Sequence, residues 1–222
     1  MSAPDFATRP QLAEDVARFV RGRIFDGTYA AGNYVRLDQL AAELGVSVTP
    51  VREALFELKA EGLLAQQPRR GFVVLPVTGR DLTDVSNVQA YIGGELAARA
   101  AANITDEQWR GVEKIQTELE SAYAGDDVEL VVRLNHEFHR AINVAADSPK
   151  LAQLMSQITR YAPESVYPTI AGWPEKSNQH HRRLLAALEH RDEHLARTAM
   201  SEHLAAGAEP LIDHLTERGV VT

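Results

Sequence analysis

The residues of this sequence best suited to hold a metal ion are its histidines. The chain has 222 residues with eight His and no Cys, and every His lies beyond residue 135. Without cysteine there is no disulfide framework, thiolate metal site, iron–sulfur cluster or cysteine nucleophile. A metal site in this chain must therefore use His, Asn, Asp or Glu as ligands.

The spacing of apolar residues indicates which candidate ligands point into the protein. In the helix predicted over 127–145, Asn135 and His139 lie on the apolar face, one helical turn apart. His136 lies on the polar side of the same helix. We therefore expect Asn135 and His139, but not His136, to face the core.

Two further histidines lie on apolar faces of other predicted helices. His181 is on the leucine-rich face of the helix over 175–189, and His203 is on the inner face of the helix over 192–217. A single inward His is usually a hydrogen-bonded core residue, and this alternative applies to each of them. Three inward His and an inward Asn in one bundle favour a divalent-metal site, with zinc or nickel as the expected ion. The predicted ligands are Asn135, His139, His181 and His203.

One pattern suggests an enzyme instead. The segment His190–His194 matches the H-x-x-E-H pattern of inverted zinc peptidases, in which both His share one helix face and Glu is the base. We expect the helix to break at Arg191 and Asp192, with Asp192 capping the next helix, so that the two His diverge. A metal-dependent hydrolase that uses the His cluster is the alternative function.

The first 77 residues predict a small domain of three helices and a hairpin. The first helix is expected over 9–26, and the second is a two-turn helix with Asp38 as a candidate cap and Gly45 as its end. After a tight turn, Ser47 or Thr49 caps the third helix. Two short strands around a basic turn follow. This order predicts a winged helix-turn-helix.

The rest of the chain shows helical patterns only, which predicts an all-helical bundle. Six helices are expected, over residues 79–102, 106–124, 127–145, 149–161, 175–189 and 192–217. The predicted fold is mainly α, with an N-terminal winged helix-turn-helix, a small β-hairpin wing and a C-terminal all-α helical bundle. The domain boundaries are 1–77 and 78–222.

Charge and composition narrow the possible classes of function. Residues 1–77 hold as many basic as acidic residues, so the net charge of -8 lies entirely in the remainder. This distribution argues against nonspecific polyanion binding by the whole molecule and allows a local basic surface in the first domain. No signal-peptide core or long apolar stretch is present, so we expect a soluble, cytoplasmic protein without a membrane partner.

Several segments resemble the GntR superfamily of transcription regulators. The winged-helix resemblance is carried by Asp38–Leu55, Glu61–Leu64 and Arg70–Val74. The helical part resembles the effector domain of the FadR branch, in the blocks Leu134–Ile142, His181–Leu188 and Met200–Leu204. The resemblance implies a homodimeric, ligand-responsive repressor that binds operator DNA. The helical domain would then bind an effector and form the dimer.

The resemblance also bears on individual residues. Metal ligands of the family fall at the four positions named above, with Asn135 where many relatives have Asp, so its neutral oxygen implies weaker metal binding. Relatives often carry Arg where this chain has Val48, and a DNA-contacting Arg where it has Asp38. The operator sequence therefore cannot be transferred from relatives. Many relatives bind small organic acids as effectors.

The start of the third helix and the tip of the wing are the expected DNA contacts. Arg52 can donate two hydrogen bonds to a guanine, and Ser47 and Thr49 can contact phosphate or a base edge. Arg69 and Arg70 at the wing tip can contact the DNA backbone. The alternatives are an intrahelical ion pair for Arg52 and a solvated turn for the wing arginines.

One further arginine is a candidate for effector binding. Arg160 lies at the end of the helix before the Pro163–Pro174 loop, where it can pair with an anionic effector, although an exposed salt bridge is the alternative. The loop is a candidate lid, and Trp173 would report its movement by fluorescence.

Overall fold

The chain forms two compact units. The computed structural model describes residues 10–125, 127–161 and 166–221. The first unit consists of the described residues up to Thr78 together with the segment from Leu215 onward, and the second spans Gly79–His214. No helix in these described ranges is both long enough and apolar enough to cross a membrane.

The first unit is a winged helix-turn-helix. Its elements are α1 (Pro10–Phe25), β1 (Tyr34–Val35), α2 (Leu37–Leu44), α3 (Val48–Ala60), β2 (Leu64–Gln67) and β3 (Gly71–Val74). The strands form an antiparallel sheet in the order β1-β3-β2. The three predicted helices and the hairpin are confirmed. Strand β1 was not predicted, because two residues are too few to show an alternating pattern.

The ends of α2 show one wrong and one correct prediction. The N-cap is Arg36 and not Asp38, which lies within the first turn. There its negative charge interacts favourably with the helix dipole. Gly45 ends the helix with a left-handed φ of 65°, a conformation that glycine adopts without steric cost.

The C-terminal segment belongs to the winged unit and not to the helical unit. Leu215 is fully buried, and Val221 pairs with Val77 in a parallel bridge. Val220 also packs on the first unit, since a Cβ at Gly27 would lie 3.4 Å from its side chain. The sequence-based boundary placed all of 78–222 in one domain. It did not anticipate that these apolar residues bury themselves against the first unit.

The second unit is a helical bundle. It comprises α4 (Gly79–Asn103), α5 (Asp106–Ala122), α6 (Val128–Ala145), α7 (Pro149–Thr159), a 3₁₀ turn (Tyr167–Thr169), α8 (Trp173–Glu189), α9 (Glu193–Ala205) and the start of α10 (Ala208–Glu217). The prediction of a single helix over 192–217 is wrong, since α9 and α10 are separate. The break includes Gly207, where a Cβ would lie 3.0 Å from the Tyr167 hydroxyl and 3.3 Å from the Trp173 ring.

Close contact between α4 and α9 fixes the helix that carries His203. A Cβ at Gly93 would collide with Leu204, and one at Gly94 would collide with Ser201. The two glycines therefore let the helix backbones approach more closely than any larger residue would permit. This packing positions α9 in the bundle core.

Candidate metal centre and DNA interface

Helices α6, α8 and α9 bring three imidazoles together in the second unit. The Nε2 atom of His203 lies 3.3 Å from Nε2 of His181 and 3.3 Å from Nε2 of His139. His181 and His203 are buried, and His139 is half-buried. The site therefore presents three nitrogen atoms to one point inside the bundle.

Hydrogen bonding alone does not account for this arrangement. Nε2 of His203 carries either one proton or one lone pair, so it can form one hydrogen bond although it faces two nitrogen atoms. Two nitrogen ligands of a tetrahedral zinc, with bonds of about 2.0–2.1 Å, lie about 3.3 Å apart. The observed 3.3 Å separations fit that geometry. The residues present thus fit a divalent metal ion.

A buried glutamine sets the tautomer of His181. Nδ1 of His181 lies 2.7 Å from Oε1 of Gln116, a fully buried side chain on α5. Gln116 Nε2 donates to the Glu120 carboxylate and to Asn178 Oδ1, both at 3.0 Å, which fixes the orientation of the amide. The proton of His181 is therefore on Nδ1, and the lone pair on Nε2 faces the centre.

The site also keeps its imidazoles uncharged. Burial lowers the pKa of His181 and His203 well below the usual histidine value, and the neighbouring imidazoles lower each pKa further. A histidine must be neutral to bind a metal, because protonation removes its lone pair. The environment therefore maintains the ligand form at neutral pH.

Aromatic side chains pack around the centre. Phe138 stacks on His181 with ring centroids 4.1 Å apart. Trp173, which is buried, lies with its ring centroid 6.0 Å from that of His203, and Tyr167 packs on Trp173 at 5.0 Å. An apolar shell of this kind strengthens electrostatic interactions at a metal.

The other residues for which a position or a ligand-binding role was predicted in this unit differ in how deeply they are buried. Asn135 is half-buried on the same helix face as His139, and His136 is exposed, as expected. Arg160 is the C-cap of α7 and is half-buried. The predicted loop includes residues 163–165, which lie outside the described residues, while Trp173 begins α8. Roles in ligand binding stay predictions for Asn135, Arg160 and the loop.

The H-x-x-E-H pattern is divided between two helices. His190 is the C-cap of α8, Arg191 has a φ of 57°, and Asp192 caps α9 by accepting a hydrogen bond from the Leu195 amide. The two histidines of the pattern are both exposed. The predicted helix break is confirmed, and the pattern does not form a peptidase site.

Sequence reasoning missed two polar residues beside the centre. Gln116 lies on the apolar face of α5 between Val112 and Leu119, so its inward position could have been inferred from helical spacing. His180 precedes His181 on α8 and was not among the predicted ligands. Its ring centroid is 5.6 Å from that of His203, and its buried Nδ1 has no hydrogen-bond partner in the part of the chain that the structure describes.

In the first unit, the start of α3 presents the predicted polar residues to solvent. Ser47 is the N-cap, but its side chain makes no capping hydrogen bond. Ser47, Thr49 and Arg52 are all exposed, and Arg52 makes no ion pair with another described residue. The intrahelical ion pair considered for Arg52 is therefore not seen.

The wing tip is a tight turn with two arginines. Arg70 N donates to Gln67 O at 3.1 Å, and Arg69 has a left-handed φ of 64°, which is uncommon for a residue with a side chain. Both arginines are exposed, and Arg70 donates to the Tyr34 hydroxyl at 3.4 Å. The turn thus projects two cationic groups. Their roles as DNA contacts, like those of the α3 residues, stay predictions.

Comparison with known proteins identifies the family. The family model "Bacterial regulatory proteins, gntR family" matches residues 12–74, and the FCD domain model matches residues 84–206, more than half of the chain. The chain belongs to the GntR family of transcription regulators. Its FCD domain places it in the FadR branch.

Relatives of this GntR regulator match most of its length. A "Probable D-xylose utilization operon transcriptional repressor" of Paenarthrobacter nicotinovorans is 30% identical over 90% of this chain and 88% of its own. The regulator McbR of Escherichia coli is 28% identical over 86% and 88% of the two chains. A solved structure of E. coli McbR/YncC superposes with a TM-score of 0.73 at 25% identity, covering 92% of this chain and 98% of that one.

The family assignment decides between the two classes of function considered for the His cluster. The family and the relatives are transcription regulators and not enzymes. The alternative of a metal-dependent hydrolase is therefore not supported. Binding of operator DNA is the activity of the GntR domain.

Proposed function

We propose that this GntR regulator is a cytoplasmic, homodimeric repressor whose FCD domain binds one divalent metal ion and a small metabolite. The observation that carries the proposal is the convergence of three Nε2 atoms in a buried and apolar part of the bundle. Neutral imidazoles in such a position are better arranged to bind a metal ion than to form hydrogen bonds with one another.

His139, His181 and His203 would hold the metal, with the amide oxygen of Asn135 as a further ligand. Zinc and nickel are the ions that imidazole ligands suit. Since an amide oxygen is a weaker ligand than a carboxylate, we expect a moderate affinity. A bound metal would supply a positive charge to which the carboxylate of an organic acid could coordinate.

In the winged unit, Ser47, Thr49 and Arg52 would contact the major groove and Arg69 and Arg70 the phosphate backbone. A single winged helix reads few base pairs, so two copies on a palindromic operator would supply specificity. Repression is supported by the relative that is named as a repressor of a D-xylose utilization operon.

A metal titration tests the proposal. Protein purified without chelator should contain, or take up on titration with Zn²⁺ or Ni²⁺, about one ion per chain by elemental analysis and calorimetry. Absence of metal after purification together with absence of uptake would make the three His ordinary core residues.

The effector can then be sought by thermal shift. A panel of small organic acids is screened with and without Zn²⁺, because a ligand of the native state raises its stability. A hit that requires both the metal and Arg160 would support the predicted anion contact, and Trp173 fluorescence would report the accompanying change. A hit unaffected by Arg160→Ala would remove that residue from the site.

Regulation requires coupling between effector and DNA. The hit should change operator affinity, and operator DNA should change the affinity for the hit by the same factor, typically 5–150-fold. If neither affinity changes, the FCD domain is a metal-holding dimerisation module and the sensor proposal fails.

A further inference from the structure

Two buried imidazole nitrogens beside the centre have no hydrogen-bond partner among the described residues. These atoms are Nδ1 of His203 and Nδ1 of His180. Buried polar groups without partners are uncommon because each one loses its hydration on folding. Their rings are neighbours, with centroids 5.6 Å apart and planes at 80°.

The opposite side of the centre shows how such an atom is normally satisfied. Nδ1 of His181 donates to Gln116, which is itself held by Glu120 and Asn178. Arg182 anchors Glu120 through two hydrogen bonds of 2.6 Å. His181 is thus oriented by a chain of polar contacts that ends at the surface, whereas Nδ1 of His203 makes no hydrogen bond to a described residue.

We propose that His180 is the residue that orients His203 when the metal is bound, by accepting a hydrogen bond from His203 Nδ1–H. This inference rests on the proposed metal site. A histidine that binds a metal through Nε2 carries its proton on Nδ1, and that N–H requires an acceptor. Nδ1 of His180 is a buried group on the adjacent ring that can accept it once its own proton is on Nε2.

The position of His180 in the fold is suited to this role. It precedes His181 on α8, and α8 packs against α9, which carries His203. A centroid distance of 5.6 Å allows the two Nδ1 atoms to be joined after a small side-chain rotation or through one water molecule. His180 would be a positioning residue and would not itself bind the ion.

The test compares three variants of the full-length protein. His180→Asn keeps an acceptor at the δ position, His180→Phe keeps the ring volume without an acceptor, and His194→Phe changes an exposed residue on α9 as a control. Zn²⁺ affinity is measured by competition with a chromogenic chelator. The visible spectrum of Co²⁺-loaded protein reports the ligand geometry. Circular dichroism verifies the fold of each variant.

We expect His180→Phe to weaken Zn²⁺ binding about 10–100-fold and to shift the Co²⁺ bands, since loss of an outer-shell partner has effects of this size. His180→Asn should stay within a few-fold of wild type, and His194→Phe should match it. Wild-type affinity and an unchanged Co²⁺ spectrum in His180→Phe would overturn the inference. Equal losses in the Asn and Phe variants would also overturn it, because the acceptor would then be irrelevant. Failure of wild-type protein to bind Zn²⁺ would instead overturn the proposed metal site.

Discussion

The predicted DNA-contacting residues of the winged unit and the His cluster of the second unit are built in opposite ways. Ser47, Thr49 and Arg52 are exposed side chains at a helix start, and the Ser47 side chain makes no capping hydrogen bond. His181 and His203 are buried, and His181 is connected to a polar network across α5 and α8. At a DNA-binding surface the DNA supplies the remaining contacts of each side chain. At a metal centre, other residues of the protein must hold the ligands in place.

From this difference we predict that a substitution at the predicted DNA surface removes only the contact made by the substituted residue. At the His cluster, substitution of a neighbouring residue should also weaken metal binding, because that residue orients a ligand.

Removal of one imidazole should abolish metal binding. His139→Ala leaves two His ligands, so Zn²⁺ affinity should fall by more than about 100-fold, beyond the effect expected for an outer-shell partner. His136→Ala, on the exposed face of the same helix, is the control and should bind like wild type. Calorimetric titration of both variants measures the effect. Equal affinities in the two variants would contradict the assignment of His139.

Loss of the amide that orients His181 should have a smaller effect. Gln116→Met preserves the side-chain volume but removes the acceptor for His181 Nδ1–H, so Zn²⁺ affinity should fall about 10–100-fold. The exposed substitution Gln153→Met provides the control. If Gln116→Met folds and binds Zn²⁺ as tightly as wild type, the polar network does not contribute to the site.

At the DNA surface, Arg52→Ala should weaken specific operator binding by about 1–3 kcal/mol and relax sequence preference at one base pair. Nonspecific DNA binding should change far less, because Arg52 is expected to read a base and not a phosphate. Arg110→Ala, an exposed change on α5, serves as the control. Titrations with operator and random DNA measure the two affinities. An unchanged operator affinity in Arg52→Ala would show that Arg52 does not read a base.

The uncharged state of the buried histidines predicts a pH dependence of stability. Their pKa is lowered in the folded state, so the unfolded chain binds more protons below its ordinary histidine pKa of about 6.5. The free energy of unfolding of metal-free protein should therefore be maintained above about pH 6.5 and decrease as the pH falls below it. Urea unfolding between pH 7.5 and pH 5 measures this, and His203→Asn should reduce the slope. Identical slopes in the two proteins would exclude His203 as a contributor.

The wing should give the smallest effect. Arg69→Ala removes one expected phosphate contact, so the slope of log affinity against log salt should become shallower by roughly 0.9 for every DNA sequence. Binding at several salt concentrations provides the slope. A sequence-dependent loss with an unchanged slope would instead indicate that Arg69 reads bases.

Sequence patterns predicted the winged helix well but only part of the His cluster. The winged helix was recognisable because its motif is local, from the turn at Gly45 to the wing. The inward histidines were found because helical spacing identifies a face. The polar neighbours of those histidines, Gln116 and His180, were not found, because the packing of α5, α8 and α9 brings them beside the cluster. The break at Gly207 was also missed, and the close approach of Tyr167 and Trp173 to this glycine is a tertiary contact that helical spacing does not show.

Binding of one metal ion by the three imidazoles of the helical bundle can be seen in a crystal structure of protein prepared with Zn²⁺. Data collected on both sides of the zinc absorption edge should show one anomalous peak per chain in the bundle. We predict that the peak lies about 2.0–2.1 Å from Nε2 of His139, His181 and His203. Absence of a peak at these nitrogens, or a peak bound only by other residues, would show that the three imidazoles do not form a metal site.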